Sequence, residues 1–262
     1  MIIKPHTLER IDGNSFGRVY HIPDTEYYFP SVTTILSKKP NPKLDEIKIS
    51  MGIEKFEARR DFAARRGTVM HSYLEYFLIS YTSGNSPEQA LIFAQDEVMR
   101  TLPDKWDKEH KVGQHLFYNF YHSEIWKQIN KLVFSEEFMH TTFKGGWAGA
   151  ADFAFIDHNG KLVLWDFKSS SDMKLEEDIS GYFMQVSAYM FLYADKQLDK
   201  TPPDLGQIIM MNEKDSNSQV FELPVSNMKI HLKEFIHYLG VFQEDPDWKD
   251  FIKAKQIQPV II

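Results

Sequence analysis

Apolar residues in the first half of the chain form short β-like runs and then recur at helical spacing. Residues 18–22 and 27–29 are two such runs, separated by a Pro-Asp turn, which favours two short strands. Ser31 stands where an N-cap would begin a helix reaching Leu36. The following apolar positions predict more than one helix, and they are Phe56, Phe62, Val69, Leu74 and Phe77.

Two more helices are predicted before the midpoint of the chain. Ser86 is followed by Pro87 and then by Gln89, a combination typical of a capped helix start. That helix is expected to run to about residue 99, and an aromatic-rich helix is expected over about residues 112–130. The N-terminal half is therefore predicted to be mainly helical.

From residue 131 onwards the spacing becomes that of strands. Three strands are predicted, over residues 132–139, 147–156 and 162–167. Asn159-Gly160 between the last two is a strong hairpin signal. A helix over about residues 181–197 and a strand over residues 207–211 follow, so the last strand should lie parallel to an earlier one.

These elements predict an α/β or α+β protein with a β-β-β-α-β core. We expect a single domain over residues 1–262, in three portions. A mainly helical portion covers residues 1–130, the core sheet and crossover helix cover residues 131–215, and a C-terminal strand and helix cover residues 216–262.

Composition narrows the class of protein. Hydrophobic residues make up 43% and charged residues 26%, which is ordinary globular usage. The chain has no cysteine, which excludes disulfides, thiolate metal sites, an iron–sulfur cluster and a cysteine nucleophile. No membrane span or secretory leader is evident, so we expect a protein of the cytoplasm, in a bacterial or phage-infected cell.

The charge balance argues against a protein that coats nucleic acid. The formal net charge is −7, whereas phosphate binding depends on Lys and Arg. One stretch is locally basic, with Lys55, Arg59, Arg60, Arg65 and Arg66 against two acidic residues. It is either a solvated helix face or one wall of a nucleic-acid groove.

Two acids and a lysine are expected to meet on neighbouring strands. Asp166 and Lys168 share one face of a strand because side chains alternate, and the hairpin can bring Asp152 beside them. Burying this charged triplet is costly unless it binds something. An ordinary surface pair remains the plain alternative for Asp166 and Lys168.

Four other residues occur in an order that favours a functional role of Asp166 and Lys168 over an ordinary surface pair. His71 follows Gly67 in a predicted helix, Gln185 and Tyr189 lie four apart in the crossover helix, and Glu137 precedes Asp152 by fifteen positions. Each has a structural alternative when taken singly. As an ordered set they are far less expected by chance.

That ordered set resembles the PD-(D/E)xK nuclease superfamily, with its restriction-endonuclease-like fold. Within it the chain is most similar to the RecB-type exonuclease domain, especially to mitochondrial genome maintenance exonucleases. The resemblance covers residues 31 to about 214 and rests on these segments: Ser31-Val32-Thr33, Gly67 to His71, Gly149-Ala150-Ala151-Asp152, residues 162–170 and the Gln185/Tyr189 pair. Ala151 replaces the proline of the superfamily's name, and Asp166 stands where many members have Glu.

The resemblance implies a role for each matched residue. Asp152, Asp166 and Lys168 would be catalytic, and the metal ligands would be His71, Asp152, Asp166 and the backbone carbonyl of Phe167. Glu137, Gln185 and Tyr189 would lie beside these ligands or contact substrate. Ser31 and four arginines would contact DNA, the arginines being Arg59, Arg60, Arg65 and Arg66.

The residue types themselves fit metal-assisted hydrolysis of phosphodiesters. Carboxylate oxygens suit Mg²⁺ or Mn²⁺, and one imidazole makes Mn²⁺ more acceptable. We therefore expect a metal-dependent DNA exonuclease acting on single strands or DNA ends, with a helicase, recombinase or single-strand-binding protein as a partner. The alternatives are a non-catalytic DNA-binding module and a restriction-type endonuclease. The chain carries no phosphate-binding G-x-x-x-x-G-K-[ST] motif, so a helicase motor is excluded.

Overall fold

Two β-sheets and eight α-helices form the part of the chain that the computed structural model describes, residues 8–216 and 218–255. The strands are β1 (Glu9–Asn14), β2 (Gly17–His21), β3 (Tyr28–Pro30), β4 (Ile129–Thr141), β5 (Trp147–Asp157), β6 (Leu162–Ser170), β7 (Leu205–Asn212) and β8 (Gln219–Pro224). The helices are α1 (Val32–Leu36), α2 (Pro42–Met51), α3 (Ile53–Thr82), α4 (Pro87–Thr101), α5 (Asp107–Ser123), α6 (Ser180–Lys196), α7 (Val225–Gln243) and α8 (Pro246–Ala254). Residues 1–7 lie outside the described residues. They include much of the segment from which we expected no secretory leader.

The larger sheet confirms the expected core. Its strand order is β4-β5-β6-β7-β8, in which β6 and β7 are parallel and the other neighbours are antiparallel. The α6 helix makes the crossover between the two parallel strands. The β8 strand adds an antiparallel edge, and the β1-β2-β3 sheet is joined to β5 by one parallel bridge between Ser31 and Ala148.

Local sequence signals explain where these elements begin and turn. The β5–β6 hairpin turns where Gly160 adopts a φ of +81°, and Asp157 accepts hydrogen bonds there from the backbone N–H of Asn159 and of Lys161, both at 2.8 Å. Helix α4 begins with the predicted capping box between Ser86 and Gln89. These signals hold because their partners lie within a few residues.

Two predictions about helices are wrong. The apolar positions between residues 56 and 77 belong to one 30-residue helix, α3, since no proline interrupts it after the positive-φ Gly52. The aromatic helix α5 ends at Ser123, because Glu124 adopts a left-handed conformation and the chain then joins the sheet at Ile129. Pairing with β5 therefore places residues 129 and 130 in a strand, although the composition of this segment alone does not distinguish helix from strand.

The larger sheet has a separate hydrophobic core on each face. Helices α3, α4 and α5 cover one face, where Trp165 and Phe167 of β6 are buried, as their strand positions predict. Helices α6 and α7 cover the other face, where Leu164 is buried. By strand alternation Asp166 also turns toward the α6 face, at only 1% exposure.

Helix α5 packs closely on α3 at a glycine, which gives a first prediction. A Cβ on Gly113 would lie 2.6 Å from Val69 Cβ and 2.8 Å from the carbonyl oxygen of Arg66. We expect Gly113→Ala to lower the free energy of unfolding by about 1–3 kcal/mol, measured by urea titration. Gly240→Ala in α7 is the control, since its Cβ would meet no atom within 4 Å and the helix should gain roughly 0.5–1 kcal/mol. Equal effects of the two substitutions would contradict this account of the helix contact.

An ion pair between α3 and α5 gives a second prediction. Arg65 Nε donates to Glu109 Oε1 at 2.7 Å, and this hydrogen bond is the main cause that holds the pKa of Glu109 below its usual 4.5. The Glu109 side chain is 10% exposed and that of Arg65 39%. Because the pKa is lowered by folding, the stabilisation is complete above pH 4.5 and is lost as the pH falls through the folded value.

We expect Arg65→Gln to lose about 1 kcal/mol of unfolding free energy at pH 7 and much less at pH 3.5. Urea titrations at both pH values measure the difference. Arg60→Gln serves as the control, because the Arg60 side chain is 63% exposed and pairs with the adjacent Asp61. A loss that is the same at pH 3.5 as at pH 7 would show that the ion pair is not its cause.

Candidate active site

Two carboxylates face each other where β5 and β6 end their pairing. The last registered pair is Phe153 with Trp165, which places Asp152 and Asp166 side by side in the next position. Phe167 N donates to Asp152 Oδ2 at 2.7 Å, and Lys168 Nζ lies 2.5 Å from Asp166 Oδ2. The structure therefore brings together the three residues that sequence analysis placed at the catalytic centre.

Burial dominates the electrostatics of this cluster. It raises the pKa of Asp166 to about 6, and the Asp152 charge adds to the rise while Lys168 opposes it. Burial also raises the pKa of Asp152, again against Lys168. For Lys168 burial acts to lower the pKa, but Asp166 and Asp152 outweigh it and the pKa is raised. The lysine thus stays charged and serves as counter-ion to both acids.

His71 reaches the cluster from α3, on the other side of the sheet edge. Its Nδ1 lies 3.6 Å from Asp152 Oδ1, and its ring meets the ring of Phe167 edge-on at 6.1 Å. Burial, together with the Lys168 charge, lowers the pKa of His71 to about 4 although a hydrogen bond with the Phe167 backbone raises it. The imidazole is therefore neutral near pH 7 and keeps a lone pair available for a metal.

The Gln185/Tyr189 pair lies under the cluster, on α6. Gln185 Nε2 donates to Tyr189 Oη at 2.9 Å, and both side chains are buried. Burial raises the pKa of Tyr189 well above its usual value, and the charges of Asp166 and Asp152 raise it further. A Cβ on Gly149 would lie 2.7 Å from the Tyr189 ring, so the glycine lets this ring approach β5 closely.

The donor set fits a hard divalent cation by its chemistry. Asp166 Oδ2 is buried and lies 2.5 Å from Lys168 Nζ, its ion-pair partner. Oxygen donors with a neutral imidazole suit Mg²⁺ or Mn²⁺. As the side chains stand, no three His, Asp or Glu residues within 8–216 and 218–255 have the spacing of a metal site.

Glu137 lies apart from the cluster, whereas its neighbour Glu136 faces it. Glu137 pairs in register with Ala151, and its side chain forms an ion pair with Lys196 near the end of α6. Glu136 has a φ of +47° and stands opposite Asp152, between two registered pairs. Its charge acts on the pKa of His71. The expected role of Glu137 beside the metal ligands stays a prediction, and Glu136 is the neighbour whose charge reaches His71.

Ser31 has a structural role in the cap of α1. The side chain is 2% exposed and accepts a hydrogen bond from Thr34 N at 3.0 Å. Its hydroxyl also donates to the Thr34 hydroxyl at 2.9 Å. The expected contact of Ser31 with DNA stays a prediction.

The four arginines divide into two kinds. Arg66 is 6% exposed and forms an ion pair with Glu213 after β7, and Arg65 is held by Glu109. Arg66 is thus paired inside the fold, whereas the Arg65 side chain is 39% exposed. Arg59 and Arg60 are exposed, and Arg60 pairs with Asp61. The contact of these four arginines with DNA stays a prediction.

None of the described helices is long and apolar enough to cross a membrane.

Comparison with known proteins identifies the family. A crystal structure of a proposed exonuclease from Eubacterium rectale aligns over 74% of this chain and 70% of its own, at 14% identity and a TM-score of 0.45. The crystal structure of SSO0001 aligns over 72% of this chain and 85% of its own, at 16% identity and a TM-score of 0.31. Curated proteins gave no match. The family model of the PD-(D/E)XK nuclease superfamily matches residues 48–249, and because that match spans most of the chain, this protein belongs to the PD-(D/E)XK nuclease superfamily.

Proposed function

We propose that this protein is a Mg²⁺- or Mn²⁺-dependent DNA exonuclease that acts on single strands or DNA ends. The observation that carries the proposal is the cluster of the buried Asp166 with the partly buried Asp152 and Lys168, and with a neutral His71 at its edge. The superfamily supplies the coarser activity, a nuclease, and its members generally use divalent metal ions. The narrower likeness to RecB-type and mitochondrial genome maintenance exonucleases stays a prediction.

Each residue of the cluster has a distinct chemical task in this proposal. Asp152, Asp166, His71 and the Phe167 carbonyl would hold the cation, which would supply charge neutralisation at the phosphate and a lowered pKa for a bound water. Lys168 stays protonated beside Asp166, so it can donate to a phosphate oxygen or orient the attacking water. Tyr189 and Gln185 hold β5 and α6 together beneath the acids.

An exposed helical arm beside the site supports a preference for free ends. Residues 42–65, which form α2 and the first turns of α3, contain no buried side chain. The arm is tied to the start of α6 at one end, where Lys39 Nζ donates to Ser180 Oγ at 2.8 Å and Lys43 pairs with Asp178 at 2.7 Å. At the other end α3 enters the core at Arg66. A single strand passing between arm and sheet would reach the acids, which a closed circle does less easily.

Other proteins would supply the single-stranded DNA. A helicase, recombinase or single-strand-binding protein would present the single strand during replication, recombination or repair.

Cleavage should require both the two acids and the metal. We expect Asp152→Asn and Asp166→Asn to abolish DNA cleavage and also the rise in melting temperature that Mn²⁺ gives the wild type, because ligand binding stabilises the folded state. Scanning calorimetry with and without Mn²⁺ measures the second effect, and Asp157→Asn in the hairpin turn is the control. Full cleavage in EDTA would overturn the metal dependence.

Free ends should be required. We expect linear single-stranded DNA to be degraded while covalently closed single-stranded circles survive, because the arm favours threading. Gel assays with 5′- and 3′-labelled strands measure both substrates in Mg²⁺ and in Mn²⁺. Equal rates on circles and linear strands would identify an endonuclease instead. Retained DNA binding without cleavage in either metal would identify a binding module.

Glu136 should matter more than Glu137. We expect Glu136→Gln to lower the cleavage rate by roughly tenfold or more, since its charge acts on His71 opposite Asp152. Glu137→Gln should change the rate less than threefold, as it only loses the pair with Lys196. Steady-state rates at fixed Mg²⁺ compare the two variants. A larger loss for Glu137→Gln would restore the sequence expectation.

A further inference from the structure

A cavity lies near Lys168, and none of the residue roles proposed above involves it. It has a volume of about 600 Å³. It lies between residues 36–43, which lead into the helical arm, and residues 177–182, at the start of α6. Its walls are mostly apolar, from Leu36, Pro40, Pro42, Ile179 and Tyr182, and its charged residues are Lys39, Lys43, Glu177 and Asp178. Pockets of this size suit a small organic group with a few polar contacts.

Tyr182 connects this cavity with the acids. The Tyr182 ring lines the cavity, and Lys168 Nζ lies 5.3 Å from the centre of the same ring. A phosphate bound at Lys168 would therefore have the adjoining sugar and base within reach of the cavity. Tyr182 is only partly buried, so part of its side chain is open to a ligand.

The charged residues at the rim are two lysines and two acids, so the rim carries no net charge. Lys39 contacts Ser180 and Lys43 pairs with Asp178. These contacts hold the start of the helical arm at a fixed place beside α6. The apolar wall, and not the charge of the rim, is therefore the feature that suits a base.

We propose that this cavity is a subsite for the nucleoside next to the scissile phosphate, with Tyr182 as the surface on which its base stacks. The proposal rests on the proposed nuclease function and names where that substrate is held. Stacking on an aromatic ring is indifferent to base identity and suits an enzyme that degrades many sequences.

Gly181 offers an independent way to test the cavity. It lines the same space, and a Cβ there would meet no atom within 4 Å. Gly181→Leu should therefore fill part of the cavity without a clash in the folded protein. The substitution also replaces a glycine within a helix, which favours folding.

The decisive experiment removes the base and the ring separately and together. Single-stranded DNA carrying one tetrahydrofuran residue, which lacks a base, is assayed with that residue moved stepwise from either end. We expect one position to lower kcat/KM of the wild type by at least roughly fivefold, and Tyr182→Ala to show no further loss there. Tyr182→Trp should keep the sensitivity, and Gly181→Leu should lose it. Tyr193→Ala, a partly buried tyrosine further along α6, is the matched control that should behave like wild type.

Other outcomes overturn the proposal. If Tyr182→Ala slows intact and base-free substrates by the same factor, the ring acts through Lys168 or the fold, and no base stacks on it. If no wild-type position is sensitive, the cavity holds no base.

A second measurement needs no cleavage and separates this proposal from the proposed function. Isothermal titration compares deoxythymidine 5′-monophosphate with deoxyribose 5-phosphate on the wild type and on Tyr182→Ala. We expect tighter binding of the nucleotide to the wild type and no such preference in the variant. If the wild type cleaves no DNA, the nuclease proposal fails while this titration still decides the subsite. Equal binding of the two ligands to the wild type overturns the subsite.

Discussion

The burial of two neighbouring carboxylates is the constraint on which the rest of the structure depends. Asp166 is 1% exposed and stands beside Asp152, and charges without water are unfavourable unless something neutralises them. Lys168 supplies one positive charge, and the Phe167 N–H supplies a hydrogen bond. The cluster still has more negative than positive groups in little water, which explains the raised pKa of Asp166. A site built in this way is prepared for a cation.

Holding the acids side by side requires a rigid sheet with support on both faces. The β5–β6 register fixes the two strands, and the parallel β6–β7 pair continues beyond the acids to Ser170. From one face α3 brings His71, and from the other α6 brings Tyr189 and Gln185. Two separate hydrophobic cores hold these helices in place. The position of the candidate site therefore depends on packing at both faces of the sheet.

The distribution of charge separates positive groups that hold the fold from those left for a ligand. Arg65 and Arg66 are paired with Glu109 and Glu213, so they join α3 to its neighbours. Arg59 precedes these two arginines in α3, on the part of the helix where no side chain is buried. A net charge of −7 is compatible with binding an anion when the few free cations are grouped in this manner. What matters for DNA is the local surface and not the net charge of the chain.

The sequence determined the fold class and the central triplet because these depend on short-range patterns. Alternation in strands places Asp166 and Lys168 on one face, and the Asn159-Gly160 turn brings Asp152 to them, so the spacing of a few residues decides the geometry. The ordered motif then identified the superfamily, which the family model confirms. The length of α3 was less accessible, since helical periodicity does not show whether a helix is interrupted.

Only the tertiary structure decided which residues near the motif are free to act. Sequence cannot show that Glu136 turns toward His71 while Glu137 pairs with Lys196, because a positive φ in the middle of a strand shifts the face by one residue. It cannot show that Ser31 and Arg66 are buried, since their partners Thr34 and Glu213 are chosen by how elements pack. Nor does any pattern along the chain reveal a cavity behind Tyr182, which exists only where the foot of the arm meets α6. Contacts between residues far apart in sequence are fixed by packing, and local spacing carries no record of them.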